Sequence, residues 1–347
     1  MKSASLALLA AACLITAPVS AAGRITEFSP FAPLSGPVGI TLGPDGNLWF
    51  TENLVNQIGR MAPNGTMLAE YVIQTPASDP RGIAVGPEGN IYFAEYAAKQ
   101  IGIISSFTPP FPEYPTSAGY HPVWMATGPD NAVYFTVPDA ISAIGRIAPS
   151  GAITEHAEFG TPGGTPSCVA RSAFGILYTE NTHDLTVQWH VASDSHEDTI
   201  PLTPGSGPTG CAFASDGAYW VAEPGRNKVL RFNGSAQEFP ITAASGAGRM
   251  IPGPRGDVWF VESDVDRIAH VTNGGVVTEY ALASGAEPTD IAFGPDGNLW
   301  ITEFGRNMIA RFLVEVPGEA DGNGVVDVAD VFYLINFLFA GGPPPKF

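Results

Sequence analysis

A ten-residue phrase recurs along this chain and fixes most of what it can fold into. Residues 43–52 read GPDGNLWFTE, residues 86–95 read GPEGNIYFAE and residues 294–303 read GPDGNLWITE. Aligned on the last residue, the copies end at Glu52, Glu95, Val137, Glu180, Glu223, Glu262 and Glu303, at intervals of 39 to 43 residues. Seven units of this size, built of short apolar runs between Gly/Pro turns, are the mark of a seven-bladed β-propeller. A stack of helical repeats would show 3.6-residue periodicity, and the chain has none.

Each unit reads as four strands. In the first these are 38–42, 48–52, 58–61 and 67–72, with the Pro44-Asp45-Gly46 turn closing the first hairpin. The outermost strand carries an acid before an aromatic or apolar residue: Glu70, Glu113, Glu155, Asp198, Glu238 and Glu279. The seventh such acid is Glu27, which precedes the first repeat. The N-terminal strand is therefore expected to complete the last blade, pairing near 309–311 and leaving no open edge. On the innermost strands a column of Ile40, Ile83, Met125, Cys168, Cys211, Met250 and Ile291 is wholly apolar and expected between blades. The two cysteines take equivalent places on neighbouring blades. Equivalent points look slightly too far apart for the ~7 Å limit on bridged Cα atoms, so buried free thiols are favoured over a disulfide.

The start of the first strand and the end of the second share one face of a blade. On that count Glu52, Glu95, Glu180, Glu223, Glu262 and Glu303 rim one mouth of the channel. Either each caps its own blade, taking hydrogen bonds from the backbone or from arginines such as Arg60, or they form a cation or polar-ligand site.

Composition narrows the function. With 34 acidic against 16 basic residues and a charge of −18, the chain lacks the basic face nucleic acids require. Residues 1–22 have the form of an export signal: Lys2, an apolar run over 5–15, and the small residues Val19-Ser20-Ala21. The run is too short to span a bilayer, so no membrane span is expected after cleavage. The alternative, a lipidated Cys13, would leave an even shorter run. The mature chain is then expected in the periplasm or outside the cell, with Cys168 and Cys211 in an oxidising compartment.

Phrases such as GIAVGPEGNIYFAE and IGRIAPSGAITEH resemble the virginiamycin B lyases (streptogramin lyases) over residues 23 to about 312. The resemblance implies a seven-bladed propeller over 23–314. It also implies an elimination that opens a cyclic depsipeptide, assisted by Mg²⁺ and a histidine base. Where those lyases begin their last blade Glu-Pro-His, this chain has Glu287-Pro288-Thr289, and the matching place one blade earlier is Gly248. Glu287 and Glu303 keep the carboxylates that the resemblance assigns to magnesium. None of the seven equivalent positions is histidine: Val38, Arg81, Val123, Pro166, Thr209, Gly248 and Thr289. A general base is worth about 10²–10⁴-fold, and a threonine hydroxyl does not replace imidazole near neutrality. No catalytic residue is therefore assigned. His121 stands two places before the column and His183 follows Glu180 on the same face, so that the three could form a small His/Glu cluster. His156, His190, His196 and His270 fall on outer strands. Nucleophile-elbow, HExxH, P-loop and dinucleotide motifs are absent.

After a linker over 315–318 the pattern changes. Residues 319–342 read as an EF-hand-type loop and a helix, followed by a tail over 343–347. The ligand positions are Glu319, Asp321, Asn323, the Val325 carbonyl, Asp327 and Asp330, with Gly324 at the bend. The unit resembles half of a type I dockerin, with Glu319 departing from the usual aspartate. The spacing of six compatible positions argues for calcium, and a single unit argues against cohesin binding. The helix is apolar nearly all round and is expected to pack on the propeller or on a partner. The sequence thus points to an exported all-β propeller that binds a small molecule or protein at its channel mouth, with a calcium loop behind it. A metal-dependent lyase is the alternative.

Overall fold

The computed structural model describes residues 19–20, 24–139, 143–157, 164–191, 195–314 and Leu338. The expected export signal (apart from residues 19–20), the expected linker and the expected calcium loop with Glu319, Asp321, Asn323, Val325, Asp327 and Asp330 lie outside the described residues.

Seven antiparallel sheets are arranged as blades. The first comprises Pro37–Leu42, Leu48–Glu52, Gln57–Met61 and Met67–Val72, in that spatial order. The last is built from Pro288–Phe293, Leu299–Glu303 and Met308–Phe312. Its outer strand is Ile25–Phe28, in the register Ile25↔Phe312 to Phe28↔Ile309. The sixth sheet carries a fifth strand, Val19–Ser20, parallel to Val277–Ala281. Among the described residues no helix is long and apolar enough to cross a membrane.

The second strand of each blade does not alternate. Leu48–Glu52, Ile91–Glu95, Val133–Val137, Ile176–Glu180, Val258–Glu262 and Leu299–Glu303 are buried at every residue, because neighbouring blades cover both faces. This strand supplies the aromatic layer between blades, including Trp49, Phe50, Tyr92, Phe93, Trp220 and Trp300. The third strand makes room for it. A Cβ on Gly59 would lie 2.3 Å from the Phe50 ring, which is why that strand reads Ile-Gly-Arg. Arg60 pairs with Asp45 of the hairpin turn, which also accepts from Trp49 Nε1 at 3.1 Å. Arg60 therefore locks the turn and does not cap a strand-end glutamate.

The inner apolar column is buried, from Ile83 at 5% exposure to Cys168 at 0%. Cys168 and Cys211 are joined by a disulfide, with Cα atoms 5.9 Å apart. The expectation of free thiols is corrected: innermost strands converge toward the axis, and equivalent points on adjacent blades come within bridging distance.

Candidate functional site

The turn after each second strand builds one mouth of the channel. In three blades it is a short 3₁₀ turn, Asn53–Val55, Pro224–Arg226 or Ser263–Val265. Each ends in a left-handed residue, Asn56, Asn227 or Asp266, the conformation that Asn and Asp tolerate best among residues with a Cβ. These side chains hold the linker entering the next blade. Asn56 Oδ1 accepts from Ser78 N at 2.7 Å, and Asp266 accepts from Gly285 N at 2.7 Å and Glu287 N at 2.9 Å.

Inside this collar is a cavity of about 760 Å³. All seven members of the column that contains no histidine line it: Val38, Arg81, Val123, Pro166, Thr209, Gly248 and Thr289. Tyr96, Pro138, Asn181, Pro224 and Ser263, each directly after a second strand, form the upper wall. Hydroxyls tie the lining strands together. Thr51 Oγ1 donates to Arg81 O at 2.7 Å, Thr302 Oγ1 to Val38 O at 2.8 Å, and Thr289 Oγ1 to Val38 O at 2.9 Å. Thr289 is thus engaged with the backbone of the first blade. At Gly248 the space is open, since a Cβ there would meet nothing closer than 3.7 Å.

The strand-end glutamates do not rim this mouth. Glu52, Glu95, Glu180, Glu223, Glu262 and Glu303 are each 0% exposed, and none lines the cavity. In four blades the linker entering the blade folds over this glutamate and carries a buried serine, Ser35, Ser78, Ser206 or Ser245. Ser206 Oγ donates to Glu223 at 2.7 Å. Outer-strand acids clamp the same linkers: Glu70 accepts from Ala32 N at 2.9 Å, Glu155 from Ser117 N at 2.8 Å and Glu279 from Thr242 N at 2.8 Å. Of Asp198 only the backbone is described. Most blades therefore hold two stacked carboxyl groups. Burial, and next the charge of the outer acid, push Glu52, Glu262 and Glu303 up to about 8 and Glu95 up to about 7. At neutral pH Glu52, Glu262 and Glu303 are therefore largely uncharged.

This arrangement bears on magnesium. Both oxygens of Glu303 are buried without a hydrogen-bond partner, as a metal ligand's would be. Glu52 and Glu262 are in the same condition, in blades to which no metal is assigned. Glu303 also faces Glu27 and, at 3.9 Å, the cation of Arg306. Glu287 stands exposed beside it, on the wall of a smaller pocket of about 420 Å³ with Asp264, Asp266 and Phe304. Asp266 is occupied as the linker clamp. Among the described residues no three His, Cys, Asp or Glu side chains are grouped to hold a metal ion. The donor set does not fit magnesium, and no step is derived through it.

Among the described side chains no histidine lines the cavity. His121 Nδ1 lies 2.7 Å from Asp139 Oδ1, with its ring against Tyr96. His183 Nδ1 lies 3.0 Å from Glu180. His156 packs on Trp189 and His190 on Phe174. His270, expected at the surface, is half-buried between Asp257 and the face of Trp259.

Sequence reasoning passed over three further lining residues, Trp124, Ser167 and Arg249, and their buried neighbour Asp290, which pairs with Arg249. The signal was present: these follow the lining column at a place where Gly39, Gly82 and Gly210 stand in other blades. Asp290 is fully buried. Burial pushes its carboxyl up, and Arg249 with the Ile40 and Ile291 amides pulls it back.

Against this geometry stand the comparisons with known proteins. Residues 193–319 match the virginiamycin B lyase family. A virginiamycin B lyase of Nocardia farcinica (strain IFM 10152) is 30% identical over 180 residues, 51% of this chain and 48% of that protein. The match thus spans about half the length of that relative. Among solved structures, a streptogramin B lyase superposes with a TM-score of 0.76 at 28% identity, covering 84% of this chain and 97% of that one. A catalytically inactive virginiamycin B lyase from Staphylococcus aureus, solved with quinupristin, gives 0.76 at 26% identity and covers 84% and 99%. A hydrazine synthase from Kuenenia stuttgartiensis, at 15% identity and a TM-score of 0.69, shares the fold alone.

Proposed function

We propose that this chain is a ligand-binding propeller whose ligand occupies the channel-mouth cavity. The observation that carries this reading is the lining column: all seven members face the cavity, and none is histidine. The cavity lies within the 300–1,000 Å³ range of small-molecule sites and has mostly apolar walls with a few polar groups. The scaffold is shared with enzymes, but a scaffold does not carry its relatives' chemistry without their reacting groups. The reading includes closure of the ring by the N-terminal strand, supported by its pairing with Met308–Phe312. It also includes export and a calcium loop over 319–330, supported by the sequence pattern.

Binding of quinupristin, measured by calorimetry on wild type and on Gly248→Leu, tests the cavity. Binding that the leucine abolishes supports it, and binding that ignores the leucine sinks it. A second reading, a metal-dependent lyase, is favoured by the structural likeness over 84% of the chain. Incubation with quinupristin and Mg²⁺ decides between them: ring opening that Glu303→Ala abolishes would replace the binding reading. For the tail, calcium calorimetry on wild type and Asp321→Ala is expected to show heat that the substitution removes. No heat in the wild type would end the calcium proposal.

A further inference from the structure

The floor of the cavity is built from side chains that replace glycine. A Cβ on Gly39, Gly82 or Gly210 would come within 2.5, 2.4 or 1.9 Å of a carbonyl oxygen on the next inner strand. At the same position Trp124, Arg249 and Asp290 project large groups that meet across the channel. The Arg249 guanidinium lies over the Trp124 ring at 4.7 Å, and its Nε donates to Asp290 Oδ1 at 3.2 Å. Asp290 does not rely on that bond alone, because its oxygens also accept from Ile40 N at 3.0 Å and Ile291 N at 2.9 Å.

The two terminal nitrogens of Arg249 are left with little to do. Their one recorded contact is Nη1 to Cys168 Sγ, at 3.8 Å. The side chain is only 14% exposed and opens onto the cavity. The other guanidinium on the wall, Arg81, is committed: Nε and Nη2 reach Asp79 at 3.3 and 2.9 Å, and its face covers Tyr96 at 3.6 Å. These nitrogens face the cavity, and the parallel Nη pair of an arginine matches a carboxylate in two-bond geometry. Above it the walls are apolar, with Val38, Val123, Pro138 and Pro166. Asp264 is the one carboxylate among the lining residues, and it is exposed at the solvent side.

We propose that Arg249 anchors the carboxylate of an apolar organic acid, whose body lies against the proline- and valine-lined wall of the cavity. This rests on the cavity being the ligand site and adds the class of ligand.

The test is calorimetric titration of wild type with phenylacetate, indole-3-acetate and decanoate, each beside its uncharged primary amide, and with inorganic phosphate. At least one acid is expected to bind, with its amide weaker by about tenfold or more. Arg249→Lys keeps a cation beside Asp290 and removes the fork, and is expected to weaken the acid by a similar factor. Gly248→Leu leaves the Arg249–Asp290 pair in place and is expected to block the acid by filling the space above it. Should the lysine variant fail to fold, the acid–amide comparison and Gly248→Leu still decide. Equal binding of acid and amide, acid binding unmoved by the substitutions, or phosphate binding as tightly as the acids would each overturn the proposal. So would no acid binding at millimolar concentration. If quinupristin still binds in a leucine-sensitive way, the cavity reading survives that failure; if it does not, both fall.

Discussion

Glu262→Gln should leave stability unchanged at pH 5 and raise it at pH 9. Glu262 is wholly buried, and neither oxygen has a hydrogen-bond partner. Its neighbour Glu279 is held as an anion's partner by Arg267 at 2.8 Å and by Thr242. Burial, reinforced by Glu279, lifts the Glu262 carboxyl from 4.5 to about 8, while Ser245 and Arg267 moderate the rise. In the unfolded chain the group ionises at its ordinary value. Between those two points the folded state holds a proton that the unfolded state has released, so stability falls as pH rises. The loss begins above 4.5 and is complete above about 8. The whole excursion corresponds to roughly 5 kcal/mol at 1.36 kcal/mol per pH unit. Glutamine reproduces the shape of the neutral acid and cannot ionise, so it escapes the loss. Thermal melts of both proteins should nearly coincide at pH 5 and differ by roughly 10–20 °C at pH 9, using 2–4 °C per kcal/mol for a domain of this size. A glutamine variant less stable than wild type at pH 9 would refute the reasoning, because it would mean that an ionised Glu262 is being stabilised there.

Three further outcomes follow from the fold. Cys168→Ser, or reduction of the wild type, should cost about 2–4 kcal/mol, since the bridge closes a loop with a sequence separation of 43; melts with and without reductant measure it. Gly59→Val should destabilise by about 1–3 kcal/mol in urea titrations, because its Cβ would press on Phe50. Deleting residues 1–28 removes the strand that pairs with Met308–Phe312 and exposes that edge; hydrogen exchange should then rise first in Met308–Phe312, and unchanged protection there would show that the strand is dispensable.

Much of the architecture could be read from the repeat. The phrase ending in Glu52 sets the unit, its recurrence counts seven sheets, and Glu27 places the N-terminal strand beside Phe312. The column from Val38 to Thr289 was legible as a set because one register runs through all seven copies, and the structure places the whole set around one cavity. The glutamates were misplaced for a specific reason. Counting along a strand shows which end faces the mouth, but not that the incoming linker folds over that end. The serines that accompany the glutamates, from Ser35 to Ser245, were the visible trace of that lid. The disulfide escaped because the separation of neighbouring inner strands depends on their convergence at the axis, and spacing in sequence does not report it. Arg249, Trp124 and Asp290 meet across three blades, and no local pattern announces such a meeting. Only their departure from glycine marks them.

The division of labour between columns has a consequence for how such a chain changes over generations. The buried strand-end positions repeat nearly the same letter seven times, whereas the positions facing the cavity are valine, arginine, valine, proline, threonine, glycine and threonine. Gly248 shows the extreme: a site where new atoms would enter empty space. A single codon change there can alter what the protein grips while the surrounding wheel stays intact, so binding preference is free to drift far faster than shape.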